Sequence, residues 1–401
     1  MAKRVLLVNK FYYPRGGDCV VVINTEQLLR DNGVDAEVFA MAYPENLPAR
    51  FQDKFASEVT FSGGMGNRLG ALRRTLGMDD VRQSFEAVLD EFQPDVVHLH
   101  NIHSYLSPVV GQMAHRRGIR VVWTLHDYKL LCPRYDCLRD GKPCEQCIAG
   151  NTNGVIEHRC MKGSLPASAV AKLEAIKWNR RILEQNTDLF VCPSRFMANM
   201  MKKGGFDDSK TVVLNNFLDP VKLEQYQGLD NAAPREDYYC YVGRLSSEKG
   251  VEDLLAAAAR LPYKLKVAGG GPLEAELRQK YVTNDNIEFL GIIDAVEVAH
   301  LLAGARLSVV PSQCYDNNPL SVVESLCAGT PVAGSFIGGI PELIDGNNGC
   351  TFKAFDQQAI ADAVTVMMKR EWDYSKIAAD AFKRFSPAAH LSVLTKEIYG
   401  F

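Results

Sequence analysis

The chain has no surplus of positive charge. Its 401 residues carry 45 Lys and Arg against 48 Asp and Glu, a formal charge of −3, which excludes the concentrated basic face that nucleic-acid binding usually requires. Long apolar runs are missing too. After Lys3-Arg4 only Val5-Leu6-Leu7-Val8 precedes polar sequence, too little for a secretory signal core, and no later stretch approaches the roughly 18 apolar residues of a membrane span. The expectation is therefore a cytoplasmic protein. There is no Asp-x-Asp pair to carry a metal-bound diphosphate, and no Gly-x-Gly-x-x-Gly after the first strand, the fingerprint of a dinucleotide site. No short-period repeat marks a solenoid.

What is present is a globular balance of 47% hydrophobic and 23% charged residues. The length exceeds one ordinary core, so two domains are expected. Residues 1–205 hold 27 Lys and Arg against 22 Asp and Glu, and residues 206–401 hold 18 against 26. The mildly basic first half admits peripheral contact with an anionic membrane face or a diphosphate-bearing acceptor; ordinary charge scatter explains it equally. Short β-branched runs alternate with amphipathic ones, the pattern of parallel strands joined by helices. Strands are expected at Arg4–Asn9, Asp35–Phe39, Val96–Leu99, Val121–Leu125, Leu189–Cys192 and Thr211–Leu214, then at Tyr238–Val242, Leu265–Ala268, Asn286–Phe289, Leu307–Val310, Pro331–Ala333 and Cys350–Phe352. Open α/β sheets bind ligands at the carboxyl ends of their strands.

The candidate site residues cluster at such ends. Gly16-Gly17 follows the first strand, where glycines let backbone approach phosphate ahead of a helix N-terminus, although a plain turn explains them as readily. Gly243-Arg244-Leu245-Ser246-Ser247-Glu248-Lys249-Gly250 brings two cations into one loop before a helix, able to hold a departing diphosphate. Gly269-Gly270-Gly271 and the strand end at Leu290-Gly291 offer backbone groups and an apolar surface to a base. In Asp316-Asn317-Asn318-Pro319-Leu320-Ser321-Val322-Val323-Glu324, Pro319 suits the first helical turn. Asn318 is expected to cap it, with Leu320 and Ser321 presenting amides to phosphate oxygens. Glu324, one turn further, can accept two vicinal hydroxyls, and Asp316 can meet sugar hydroxyls. His126-Asp127 ends the fourth strand and His100-Asn101 the third, which makes them acceptor-side candidates; His126 could instead bond a donor-sugar hydroxyl.

This order resembles the retaining nucleotide-sugar glycosyltransferases of family 4, whose α/β fold, called GT-B, has two Rossmann-like domains facing across a cleft. The resemblance covers nearly the whole chain and is carried by Gly16-Gly17, His126, Gly243-Arg244 with Lys249, the Gly269–Gly271 turn, and Asp316 eight residues before Glu324. It implies an acceptor-side domain over 1–215, a nucleotide-sugar domain over 216–385, and a C-terminal helix, 386–401, returning to the first. It implies transfer of a hexose from a nucleoside diphosphate, uridine favoured and guanosine second, to a hydroxyl of a glycan or lipid-linked acceptor in surface-polysaccharide assembly. No catalytic cofactor is implied: Arg244 and Lys249 do the work of a metal, so transfer should resist chelators. Glu324 would hold ribose, while Asp316 stands where the family usually has Glu and Cys19 stands where the early loop usually has Glu. Rival readings are a nucleotide-sugar epimerase or phosphorylase of the same fold, or a non-catalytic nucleotide-sugar-binding subunit. The joint presence of Arg244, Lys249, Glu324 and His126 argues against the last.

Five of the 11 cysteines lie between Cys132 and Cys160, in an insertion over 132–164 with little apolar content. Reducing conditions argue against a disulfide framework. Thiolates converging on Zn²⁺ would order such a loop, with free buried thiols as the alternative and an iron–sulfur cluster less supported. Cys132, Cys144, Cys147 and Cys160 resemble a pattern in one branch of the family, with Cys137 as alternate. Basic and apolar residues also mix in Arg68–Arg82 and in Lys172–Arg181, which includes Trp178. They form either a membrane-facing surface or a solvated helix face.

Overall fold

The computed structural model describes residues 2–61 and 65–401; Met1 and the side chains of Met65 and Arg68 lie outside the described residues, so the basic segment beginning at Arg68 is described without that side chain. The chain divides into two compact units. The first holds residues up to Cys137, Glu145–Leu214 and Leu391–Phe401; the second holds Leu138–Cys144 and Asn215–His390.

The strands are β1 (Arg4–Val8), β2 (Asp35–Phe39), β3 (Val96–Leu99), β4 (Arg120–Thr124), a short hairpin of β5 (Leu138–Arg139) and β6 (Lys142–Pro143), β7 (Leu189–Cys192) and β8 (Thr211–Val213). In the second unit they are β9 (Tyr238–Val242), β10 (Lys264–Ala268), β11 (Ile287–Gly291), β12 (Leu307–Val310), β13 (Val332–Ser335) and β14 (Gly349–Phe352). Each unit contains a six-stranded sheet, ordered β2-β1-β3-β4-β7-β8 and β11-β10-β9-β12-β13-β14, with every pairing parallel. Val5 through Val8 are fully buried. Such unbroken apolar runs mark strands covered on both faces.

Strand order reverses between β1 and β3 in the first sheet and between β9 and β12 in the second. These are the switch points where adjacent crossovers leave in opposite directions and open a crevice. The loops after β1, β3, β9 and β12 therefore hold the positions for ligand chemistry. Close backbone packing shapes two of them. Gly250 has φ +68° and a side chain there would meet Pro311 O at 1.9 Å, while Gly269 has φ +127° with Gly243 O at 1.9 Å.

The C-terminal segment is helical over Pro387–Val393 and continues as a π-helix over Leu394–Tyr399. Tyr399 Oη lies 2.7 Å from His98 Nδ1 in β3, and Arg120 Nε donates to Ile398 O at 2.9 Å. Among the described residues no helix is long and apolar enough to cross a membrane.

Candidate functional site

In the second unit, β9 runs into Gly243–Lys249, and β12 runs through Pro311–Asn318 into the helix Leu320–Cys327. One contact ties the two loops together: Lys249 Nζ lies 2.6 Å from Asp316 Oδ1. Ser312 Oγ donates to Asp316 Oδ2 at 2.6 Å, and Gly339 N–H donates to Asp316 O at 2.7 Å. Burial works against the Lys249 ammonium, but the Asp316 carboxylate outweighs it and holds Lys249 above the ordinary lysine value. Lys249 is thus a fixed cation with donors to spare. Arg244 is exposed, and its guanidinium makes no ion pair or hydrogen bond among the described residues.

The helix begins one residue later than expected. Pro319, with φ −67° and ψ 124°, is its N-cap and makes no side-chain cap. Asn318 does not cap the helix, because its Oδ1 accepts the Asn216 N–H at 2.9 Å while its carbonyl accepts Asn216 Nδ2 at 2.8 Å. Asn318 Nδ2 is buried with no hydrogen-bond partner among the described residues. The helix's first bonds run from Val322 and Val323 N–H to Pro319 O, so the Leu320 and Ser321 amides precede any intrahelical acceptor. Glu324 is 9% exposed and pairs with Lys222 Nζ at 2.5 Å. Sequence reasoning missed Lys222, whose contact spans 102 positions and follows no local pattern. A side chain at Gly270 would meet Ile292 at 3.0 Å, and Leu290 packs half-buried on the core.

In the first unit, Gly16 is the N-cap of the helix Gly17–Asp31, with φ −165°. A side chain at Gly17 would meet nothing within 4 Å, so the turn stands open. Asp18 was also missed, although an acid in the first helical turn is a recognisable signal. Its Oδ2 accepts Asn101 Nδ2 at 2.7 Å and lies 3.8 Å from Lys10 Nζ. The loops after β1 and β3 are thereby joined, as Lys249 and Asp316 join those after β9 and β12. Burial raises the Asp18 carboxyl, and Lys10 with the Asn101 hydrogen bond overcomes it to leave a net lowering. His126 Nε2 lies 2.9 Å from His100 Nδ1 with the rings stacked, so one imidazole donates to the other. Burial pushes His126 down to about 4, against the pull of Asp18. Burial also raises Asp127 to about 6, opposed by the Lys129 N–H. Cys19, in the position where Glu was noted as usual, is buried, and its thiol is pushed up to about 11 chiefly by desolvation.

No three or more of the described His, Cys, Asp and Glu side chains form a group that could hold a metal ion; a zinc site at Cys132, Cys144, Cys147 and Cys160 is an expectation of the sequence alone. The Cys137 thiol hydrogen-bonds Cys132, which lowers the latter, and Cys160 Sγ donates to Gly154 O at 3.7 Å. In the insertion Tyr135, Cys137, Asp140, Arg159 and Lys162 all take positive φ. Trp178 does not belong to an exposed face. It is 7% exposed and donates from Nε1 to Thr75 O at 3.0 Å.

Two family models match the chain. Glycosyltransferase Family 4 covers residues 15–222 and Glycosyl transferases group 1 covers residues 229–384. A GDP-mannose-dependent alpha-(1-6)-phosphatidylinositol dimannoside mannosyltransferase of Mycobacterium tuberculosis is 32% identical over 199 residues, 46% of this chain and 50% of the relative. Glycogen synthase of the same species is 30% identical over 192 residues, 46% of each chain. An uncharacterized protein in the cps region of Klebsiella pneumoniae is 25% identical over 269 residues, 66% of this chain and 63% of the relative. The chain thus spans about half to 63% of the length of the curated relatives it matches. Two solved structures share the fold. They are sucrose-phosphate synthase from Thermosynechococcus elongatus, with TM-score 0.69, 18% identity and 99% of both chains covered, and Anabaena HepE with UDP and glucose, with TM-score 0.67, 18% identity and both chains fully covered.

Proposed function

This chain belongs to glycosyltransferase family 4, and from that premise we propose that it moves a hexose from a nucleoside diphosphate, uridine first, to a hydroxyl of a glycan or lipid-linked acceptor with retention of configuration. The observation that carries the reading is the switch point of the second sheet, where Lys249 is locked to Asp316 at 2.6 Å and Arg244 carries an unpaired cation. Two cations, helix amides at Leu320 and Ser321, and the Glu324 carboxylate match diphosphate, phosphate oxygens and ribose in turn. The UDP and glucose held by Anabaena HepE, a protein of the same fold, support uridine as the first base to try.

In the proposed step the bond from C1 to the β-phosphate oxygen breaks. The acceptor oxygen bonds C1 on the same face, and its proton passes to the departing phosphate oxygen. Arg244 and Lys249 stabilise the charge that develops there. Asp316, with both oxygens already accepting hydrogen bonds, fixes Lys249 and limits how a hexose can sit. His126, neutral and backed by His100, offers a hydrogen bond to a sugar hydroxyl. Surface-polysaccharide assembly is the proposed setting.

The test is proton NMR of the product formed from UDP-hexose on the full-length chain, with and without chelator. An α-linked product formed equally in both supports the reading; a β-linked product, or a phosphate requirement, overturns it.

A further inference from the structure

We infer that the first unit contains a separate carbohydrate subsite that takes one pyranose ring of the acceptor, in a cavity between the sheet's carboxyl edge, the helix Leu165–Lys177 and the cysteine-rich insertion. This rests on the glycosyl-transfer reading and deepens it. The cavity is about 110 Å³, in a measure where one water takes about 10–15 Å³. It therefore has room for several waters or one sugar ring.

Its lining is chemically mixed. His103 and Lys129 each stand three residues beyond His100 and His126, on the loops after the adjacent strands β3 and β4. The His103 ring stacks on Trp123 at 5.2 Å, and its nitrogens have no hydrogen-bond partner among the described residues. Burial holds that ring neutral, well below the usual histidine value, so it offers one donor and one acceptor. Lys129 Nζ donates to Pro133 O at 2.7 Å and pairs with Glu174 Oε2 at 2.8 Å, the two side chains being only 9% and 6% exposed. One ammonium N–H is left over. Glu174 is steadied by Ser104, whose N–H and Oγ both reach Oε1 at 2.9 Å. Trp178 and Ile148 supply the apolar part of the wall; the Trp178 N–H is already spent on Thr75, so only its ring is offered.

That combination selects a class of ligand. A purely apolar occupant would leave the His103 nitrogens and the spare Lys129 N–H unsatisfied, which costs more than the contact returns. An anion would be attracted by Lys129 but repelled by Glu174 in the same wall, while Arg180, the other cation of the lining, donates to Gly204 O and Gly205 O. A neutral ring with hydroxyls around its rim and C–H groups on its face satisfies donor, acceptor and aromatic wall together.

The experiment is saturation-transfer NMR on the full chain with methyl α-D-glucopyranoside, methyl α-D-galactopyranoside and methyl α-D-mannopyranoside. Wild type, Ala175→Phe, which fills the cavity, and Lys129→Gln are compared, with the melting-temperature shift from UDP-glucose as a control on the second unit. The expected result is saturation transfer to at least one glycoside in wild type, reduced at least tenfold in both variants while the UDP-glucose shift is kept. Absent transfer in wild type, or undiminished transfer in Ala175→Phe, overturns the subsite. If Ala175→Phe fails to fold, Lys129→Gln decides by the same criterion. A wild type that binds a glycoside but shows no UDP-glucose shift would sink the donor assignment and leave the subsite standing.

Discussion

Lys249 and Arg244 sit five positions apart in one loop, yet they stand in different states. Lys249 is tethered to Asp316 and Arg244 is untethered. Both are expected to stabilise charge that appears only as the diphosphate leaves. A donor of that kind is worth about 2–4 kcal/mol, so Arg244→Ala and Lys249→Ala should each lower kcat by roughly 30- to 1000-fold. Steady-state assay with UDP-hexose checks this. His126 makes a different prediction. Its folded pKa, about 4, lies below the ordinary histidine value of 6.5, so between those pH values the unfolded chain binds more protons and stability falls as pH falls. Asp127, raised to about 6, acts in the opposite sense over pH 4–6. Comparing wild type with His126→Asn separates the two contributions. Between pH 7.5 and pH 5 the wild type should lose on the order of 2 kcal/mol more stability than the variant, read from urea midpoints. The motif residues were visible as types at strand ends. Their partners were not, because contacts such as Lys222 with Glu324 join positions 102 apart and leave no periodic trace.

At the scale of elements, two glycines should answer substitution in opposite ways. Gly250 combines φ +68° with a backbone oxygen 1.9 Å from where a side chain would begin. Gly250→Ala should therefore cost well over the roughly 1 kcal/mol of a left-handed residue alone, read as a fall in melting temperature. Gly17 opens a helix and has empty space around it, so Gly17→Ala should leave stability unchanged or raise it by up to about 1 kcal/mol. If the loop serves a ligand, activity should fall all the same, and that split between stability and activity separates function from folding. The helix Leu320–Cys327 shows where local rules gave way. Proline before an apolar run signalled a helix start, but Asn318 was drawn from capping into bonds with Asn216, a tertiary preference that propensity does not encode. The cysteine-rich insertion was the least legible element. Its C-x2-C knuckle suggested a metal, and its backbone carries five non-glycine positive-φ residues that no local propensity announces.

At the scale of the molecule, all 12 main-sheet strands were legible because parallel strands covered on both faces are unbroken apolar runs between polar loops. Strand order was not legible. The reversals beside β1 and β9 place the candidates Gly16-Gly17, His100-Asn101, Arg244 with Lys249, and Asp316 in the loops that follow β1, β3, β9 and β12, and Asp18 with Asn101 repeats in the first unit the bridge that Lys249 and Asp316 make in the second. The proposal requires the second unit's switch point to hold the donor. Thermal shift of the full-length chain with UDP-glucose in the presence of chelator, wild type beside the Arg244→Ala/Lys249→Ala double variant, tests this directly. At about 100 times its dissociation constant a donor adds about 2.7 kcal/mol of stability, so wild type should show a clear rise in melting temperature and the double variant little or none. An equal rise in both proteins would contradict the assignment.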